Sequence, residues 1–103
     1  MTRFEVVVTA KARGHLNDID GWWRANRTAA PDKVEEEFAE AIERLETAPR
    51  TGPMYRESAL PEVRRILMEI TRYHIYYSLD ARARVVSVLA VWHSARGSGP
   101  PLR

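Results

Sequence analysis

Four basic side chains in the second half of the chain have the chemistry to handle a phosphodiester: Arg64, Arg65, His93 and Arg96. An imidazole exchanges a proton near neutral pH, and guanidinium groups stabilise the charge that builds on a phosphate in its transition state. His93 and Arg96 are close in sequence, so a strand ending there would present both at one corner. Two readings of His93 stand side by side: an acid or base, or a strand-end histidine hydrogen-bonded to a loop. Arg64 can likewise serve such a site or pair with a helix carboxylate such as Glu46. The run Glu35-Glu36-Glu37 does not make a metal site, because consecutive positions diverge around a helix and no histidine follows at helical spacing. His15 and His74 fall on separate elements without a third ligand, and no cysteine is present to supply a thiolate. Neither a metal nor another cofactor is expected.

The elements that must position these residues are concentrated between Val63 and Arg96. Ile66, Met68 and Ile70 alternate in a first β-like run, Val63 to Ile70. In the second, Tyr73 to Leu79, residues Tyr73, Ile75, Tyr77 and Leu79 share one face and His74, Tyr76 and Ser78 the other. The third, Val85 to Trp92, is valine-rich and apolar at nearly every step, as a strand buried on both faces is. Thr71-Arg72 and Asp80 to Arg84 are the only links, so neighbours in this meander are antiparallel. Tyr77 and Trp23 read as core; Tyr76 and Trp92 read as core or partner surface. An aromatic platform interleaved with arginines is poorly signalled, with only Tyr76 and His74 coming near.

Upstream, Phe4 to Thr9 reads as a fourth strand. Ala12, Leu16, Ile19 and Trp23 then make one helical stripe over Lys11 to Asn26, with Trp22 one position off it, at its edge or on a partner surface. A second helix is expected with Thr28 as N-cap and Pro31 in its first turn, ending by Pro49. Its buried face is Val34, Phe38, Ala41, Ile42 and Leu45, and Glu36, Glu37, Glu40 and Glu43 are left to solvent. Met54 to Glu62 has no period and reads as loop. The order is β-α-α-β-β-β, an α+β fold with a helical hairpin on an antiparallel sheet of three to four strands. Residues 1–97 form a single domain, and 98–103, SGPPLR, are a flexible tail.

Composition bounds the function class. The 103 residues suffice for one core, and 45% hydrophobic with 29% charged content is that of an ordinary globular domain. No run approaches membrane-spanning length, the N-terminus lacks a signal-peptide pattern, and the absence of cysteine fits a reducing cytoplasm. Residues 1–48 carry 7 basic and 10 acidic side chains, whereas residues 49–103 carry 9 and 4. The sheet half thus offers arginine forks to an anionic partner, if arginine-rich composition is not the whole explanation.

Four stretches resemble the RelE/ParE family of bacterial type II toxins, the ParE-like branch in particular. LETAPRTGP at 45–53 is similar to the leucine-x3-proline-x2-glycine after that family's second helix. VRRI at 63–66 resembles its arginine-bearing strand, YHIYYSLD at 73–80 its tyrosine-rich central strand, and VVSVLAVWHSARG at 85–97 its last strand with the histidine-x2-arginine ending. The resemblance implies a cytoplasmic toxin of a toxin-antitoxin system, active in growth inhibition and plasmid stabilisation. It implies a cognate antitoxin wrapped over the toxin as partner. A ParE-like toxin inhibits DNA gyrase by binding, has no chemistry of its own, and needs no membrane and no sequence-specific DNA contact. Arg64, Arg65, Trp92, His93 and Arg96 would then form the target- or antitoxin-binding surface. The alternative is a RelE-like, ribosome-dependent, metal-independent mRNA endonuclease, with His93, Arg96 and Arg65 catalytic. Against it, Leu67-Met68-Glu69 stand where such nucleases place a basic residue, and the tail has no aromatic.

Overall fold

The computed structural model describes residues 3–102 and has the expected α+β architecture, two helices on one face of a four-stranded sheet. The strands are β1 (Glu5–Val8), β2 (Val63–Met68), β3 (Tyr73–Asp80) and β4 (Val85–His93), and the helices are α1 (Ala10–Asn26) and α2 (Lys33–Thr47). Spatial order is β1-β4-β3-β2. The meander β2-β3-β4 is antiparallel as expected. β1, however, joins β4 in parallel, from Glu5 opposite Val85 to Val8 opposite Val88, so the sheet is mixed rather than purely antiparallel. β4 is consequently an inner strand, which accounts for its apolar run: Val86, Val88, Ala90 and Val91 are all buried. β3 and β4 slip register between Tyr76 and Tyr77, leaving Leu89 without a partner on β3.

Where β1 stops, α1 takes over its hydrogen-bonding role. The Thr9 hydroxyl accepts from the Ala12 N–H at the helix start while donating to the Val88 carbonyl at 2.8 Å. One turn further on, His15 Nδ1 accepts the Val91 N–H at 3.2 Å, so a side chain serves a sheet donor that β1 is too short to reach. Burial, then the Lys11 charge, holds the His15 imidazole below its ordinary value, consistent with an acceptor nitrogen.

The second helix starts later than expected. Its N-cap is Asp32, not Thr28, and Pro31 lies in the preceding turn rather than in the helix. The cause is the Ala30 carbonyl, which accepts from the Trp23 indole at 2.8 Å and from the Lys33 N–H at 3.3 Å, holding the connection in turns. Asp32 makes no side-chain cap bond. Its carboxylate goes instead to Arg24, which also binds Asp20 and Glu35 and so ties the two helices together. Phe38, Ala41 and Leu45 pack from α2 into one buried cluster with Ile66, Ile75 and Tyr77, as the periodicity requires, with Ile42 partly buried against it.

Two expectations fail at the β2–β3 turn. β2 ends at Met68, so Ile70 does not alternate into the sheet and is 63% exposed. Glu37, expected in solvent, is the reason. Its carboxylate accepts from the Ile70 N–H at 2.9 Å, the Thr71 N–H at 2.8 Å and the Thr71 hydroxyl at 2.7 Å. Those bonds hold residues 69–72 as a turn, closed by Arg72 N–H on the Met68 carbonyl and by Arg72 in the left-handed region at φ 70°. Burial pushes the Glu37 carboxyl up, but the bonds from Ile70 and Thr71 outweigh it and hold the group below its ordinary 4.5. A depressed folded value lends stability in full above the unfolded one, and that stability is lost as pH falls through the folded value. Glu37→Gln should therefore lower the melting temperature at neutral pH, and the gap to wild type should close as pH falls below the ordinary carboxylate range and through the depressed folded value. A gap independent of pH would show that the carboxylate charge is not what holds the turn.

Candidate functional site

The second face of the sheet carries no helix. Arg65, His74, Tyr76 and Trp92 come to it from three adjacent strands, because the register sets Arg65 opposite Tyr76 and His74 opposite Trp92. Two irregular segments lie on this face. The loop after α2 runs along the edge of β2, with Tyr55 N–H on the Val63 carbonyl and Arg65 N–H on the Pro53 carbonyl. It lays Tyr55 edge-on to Tyr76 with ring centres 4.9 Å apart, leaving Tyr76 2% exposed. The C-terminal segment, expected to be flexible from residue 98, has neither helix nor strand but is laid against the domain. Trp92 Nε1 donates to the Ser98 carbonyl at 3.0 Å, Lys11 reaches the Pro101 carbonyl, and Pro100 is buried. At Gly99 a Cβ would collide with the Tyr55 hydroxyl, so the two segments close against each other.

Between them lies an open cavity of about 540 Å³. Of the five side chains singled out from sequence, Arg65, Trp92, His93 and Arg96 line it. Arg64 does not. As the alternate residue on β2 it points the other way, donating to the Gly52 carbonyl at 2.8 Å and pairing with Glu62 at 3.1 Å. The expected partner Glu46 binds Arg3 instead. Arg64 is thus a brace for the loop.

The remaining basic groups are positioned by aromatic contacts rather than by acids. Arg65 donates to the Tyr76 hydroxyl at 3.1 Å and sits 5.5 Å from the Tyr55 ring centre. The Arg96 guanidinium lies 4.1 Å over Trp92. Among the described residues neither arginine has a carboxylate within ion-pair distance. The acid in the cavity, Glu57, accepts from the Tyr55 hydroxyl at 3.1 Å. Burial, then the charges of Arg65 and Arg72, holds His74 below its ordinary value. The Nδ1 of His93 accepts the Ala95 N–H at 3.0 Å, and the ring stands edge-on to Tyr73.

Tyr55 and His74 are the site residues that sequence reasoning undervalued. Tyr55 stands in a stretch without period, and its one signal is that it is the single aromatic of that loop. The proline-glycine motif of residues 45–53 has a structural role. Leu45 is in the core, the Tyr77 hydroxyl donates to the Pro49 carbonyl at 2.7 Å, and the Gly52 N–H donates back to that hydroxyl at 3.2 Å. It anchors the loop that carries Tyr55.

The family model for the ParE toxin of the type II toxin-antitoxin system parDE matches residues 6–97. No curated protein matches the sequence. Among solved structures, a chain of the chromosomal ParDE TA system from P. aeruginosa is similar in fold, with a TM-score of 0.65 at 18% identity. The alignment covers 87% of this chain and 95% of that one. No helix among the described residues is long and apolar enough to cross a membrane.

Proposed function

Because the chain belongs to the ParE toxin family of type II toxin-antitoxin systems, we propose that it is a cytoplasmic toxin that inhibits DNA gyrase by binding and is neutralised by a cognate antitoxin. The observation that carries a binding rather than a chemical role is His93. Its Nδ1 accepts the Ala95 N–H, a bond that shapes the strand end of the C-terminal motif and supports a contact role for this histidine. Trp92 and Arg96, stacked beside it, supply contact surface.

One feature favours the endonuclease alternative: His74 lines the cavity near Arg65, and burial with the Arg65 charge disfavours its protonated form, an arrangement that suits a base. A single purified sample separates the two, incubated with gyrase and plasmid DNA, and with ribosomes programmed with mRNA. We expect double-strand breaks in the first and intact transcripts in the second. Arg96→Ala should weaken target binding by about 1–3 kcal/mol, and His93→Gln should be nearly silent. Cleavage of mRNA at codon-defined sites, abolished by His74→Gln or His93→Gln while ribosome binding persists, would install the nuclease instead.

A further inference from the structure

The helix-free face combines features that a protein surface seldom leaves without purpose. Arg65 is half-buried, fixed by the Tyr76 hydroxyl and the Tyr55 ring, and among the described residues makes no ion pair. Holding a guanidinium in that position costs desolvation that no ion pair among those residues returns. Arg96, likewise without an ion pair among the described residues, is laid over Trp92 on the wall of the same cavity. The lining also includes flat rings: Tyr55, partly exposed, and His74, 6.0 Å from Tyr76. The cavity of about 540 Å³ is within the range of roughly 300–1,000 Å³ typical of small-ligand sites. Its walls at Gly97 and Gly99 are bare backbone.

Cations held without an ion-pair partner beside aromatic rings, with Glu57 the acid of the lining bonded to the Tyr55 hydroxyl, fit a ligand with two parts, an anionic phosphate and a planar base. A carboxylate-bearing peptide would use the arginines and leave the rings idle. We propose that this cavity binds single-stranded nucleic acid without regard to sequence, its phosphates on Arg65 and Arg96 and a base against Tyr55 and His74. The inference does not rest on gyrase as target, since it concerns what the isolated chain binds.

Fluorescence anisotropy of a labelled oligothymidylate with the full chain tests it directly. Binding should weaken with salt, and Arg65→Gln or Arg96→Ala should each flatten the log-log salt slope by about 1. Tyr55→Ala should weaken binding by about tenfold with the salt slope unchanged, as loss of a stacking ring does. Arg82→Ala, in the distant β3–β4 turn, removes the same charge and should have no such effect. An abasic oligonucleotide of equal length should bind about tenfold more weakly than oligothymidylate, since it lacks the stacking term. Equal affinity for the abasic strand, or an effect of Arg82→Ala as large as that of Arg96→Ala, would reduce the cavity to diffuse electrostatics and overturn the proposal. So would displacement of oligothymidylate by a polyglutamate peptide at comparable concentration. Because Arg65 is half-buried, circular dichroism melts accompany each variant, and the surface variant Arg96→Ala decides if Arg65→Gln does not fold.

Discussion

Truncating Tyr77 to alanine should leave the domain close to unfolding at ordinary temperature. Tyr77 is 0% exposed and is held among Ile66, Ile75 and Leu45 beneath the helices. Emptying a large aromatic site costs about 3–5 kcal/mol, against a total of about 5–15 kcal/mol for a typical domain. The same change strands the Pro49 carbonyl and the Gly52 N–H, which the hydroxyl now serves. Tyr77→Phe isolates that second part, because it keeps the ring and removes only the oxygen. It should cost about 1–3 kcal/mol. Gly52→Ala attacks the contact from the other side, since its Cβ would lie 2.5 Å from the Arg65 carbonyl and 2.9 Å from the Tyr77 hydroxyl. Overpacking of that kind costs about 1–3 kcal/mol. Denaturant midpoints for the three variants check the account. If Tyr77→Phe matches wild type, the hydroxyl is not the anchor of the loop.

Phe38→Ala should be the next most damaging change. Phe38 carries the middle of α2 into the cluster formed by Ile66, Ile75 and Tyr77, and is 8% exposed. A cost of about 3–5 kcal/mol is expected for Phe→Ala at a buried site. For a domain of this size each kcal/mol lowers the melting temperature by about 4–8 °C, so a fall of roughly 12 °C or more should be seen. A fall of one or two degrees would mean that α2 does not pack through this residue. Unlike Tyr77, Phe38 has no hydroxyl to tie to the loop that carries Tyr55, so its loss should be visible in stability while leaving the cavity around Tyr55 unchanged in the surviving folded fraction.

What the sequence makes legible, and what it hides, follows from the range of each interaction. Periods of two and of three to four residues are local, and they locate β1, α1, the buried face of α2 and the meander. Pairing between distant segments has no such period, so nothing in FEVVVT announces that it runs parallel to β4. Glu37 looks solvated on a helical projection because its partners, Ile70 and Thr71, lie in a turn 33 and 34 positions away. The late start of α2 depends on a tryptophan indole reaching a carbonyl across the interhelix turn. At the candidate site, alternation along β2 already sends Arg64 and Arg65 to opposite faces, and grouping the two by charge obscured it. Tyr55 is beyond any local rule, since an aperiodic loop is placed only by what it is tied to, here Tyr77 through Pro49 and Gly52.

The parallel pairing of β1 with β4 also sets a timetable for synthesis. Glu5 meets Val85, so β1 leaves the ribosome 80 residues ahead of the strand it pairs with and must wait for it. At about 5–20 residues per second that wait is on the order of 4–16 s, during which β1 and the apolar face of α1 have no sheet to cover them. Closing so long a loop is entropically costly, and pairings of high sequence separation form slowly. The helices and the β2-β3 hairpin can form on the nascent chain, but the cavity cannot, because Trp92 and His93 end β4 and Arg96 follows it. The cavity is therefore assembled after the rest of the sheet, and a partner already present can meet the chain before that surface is complete.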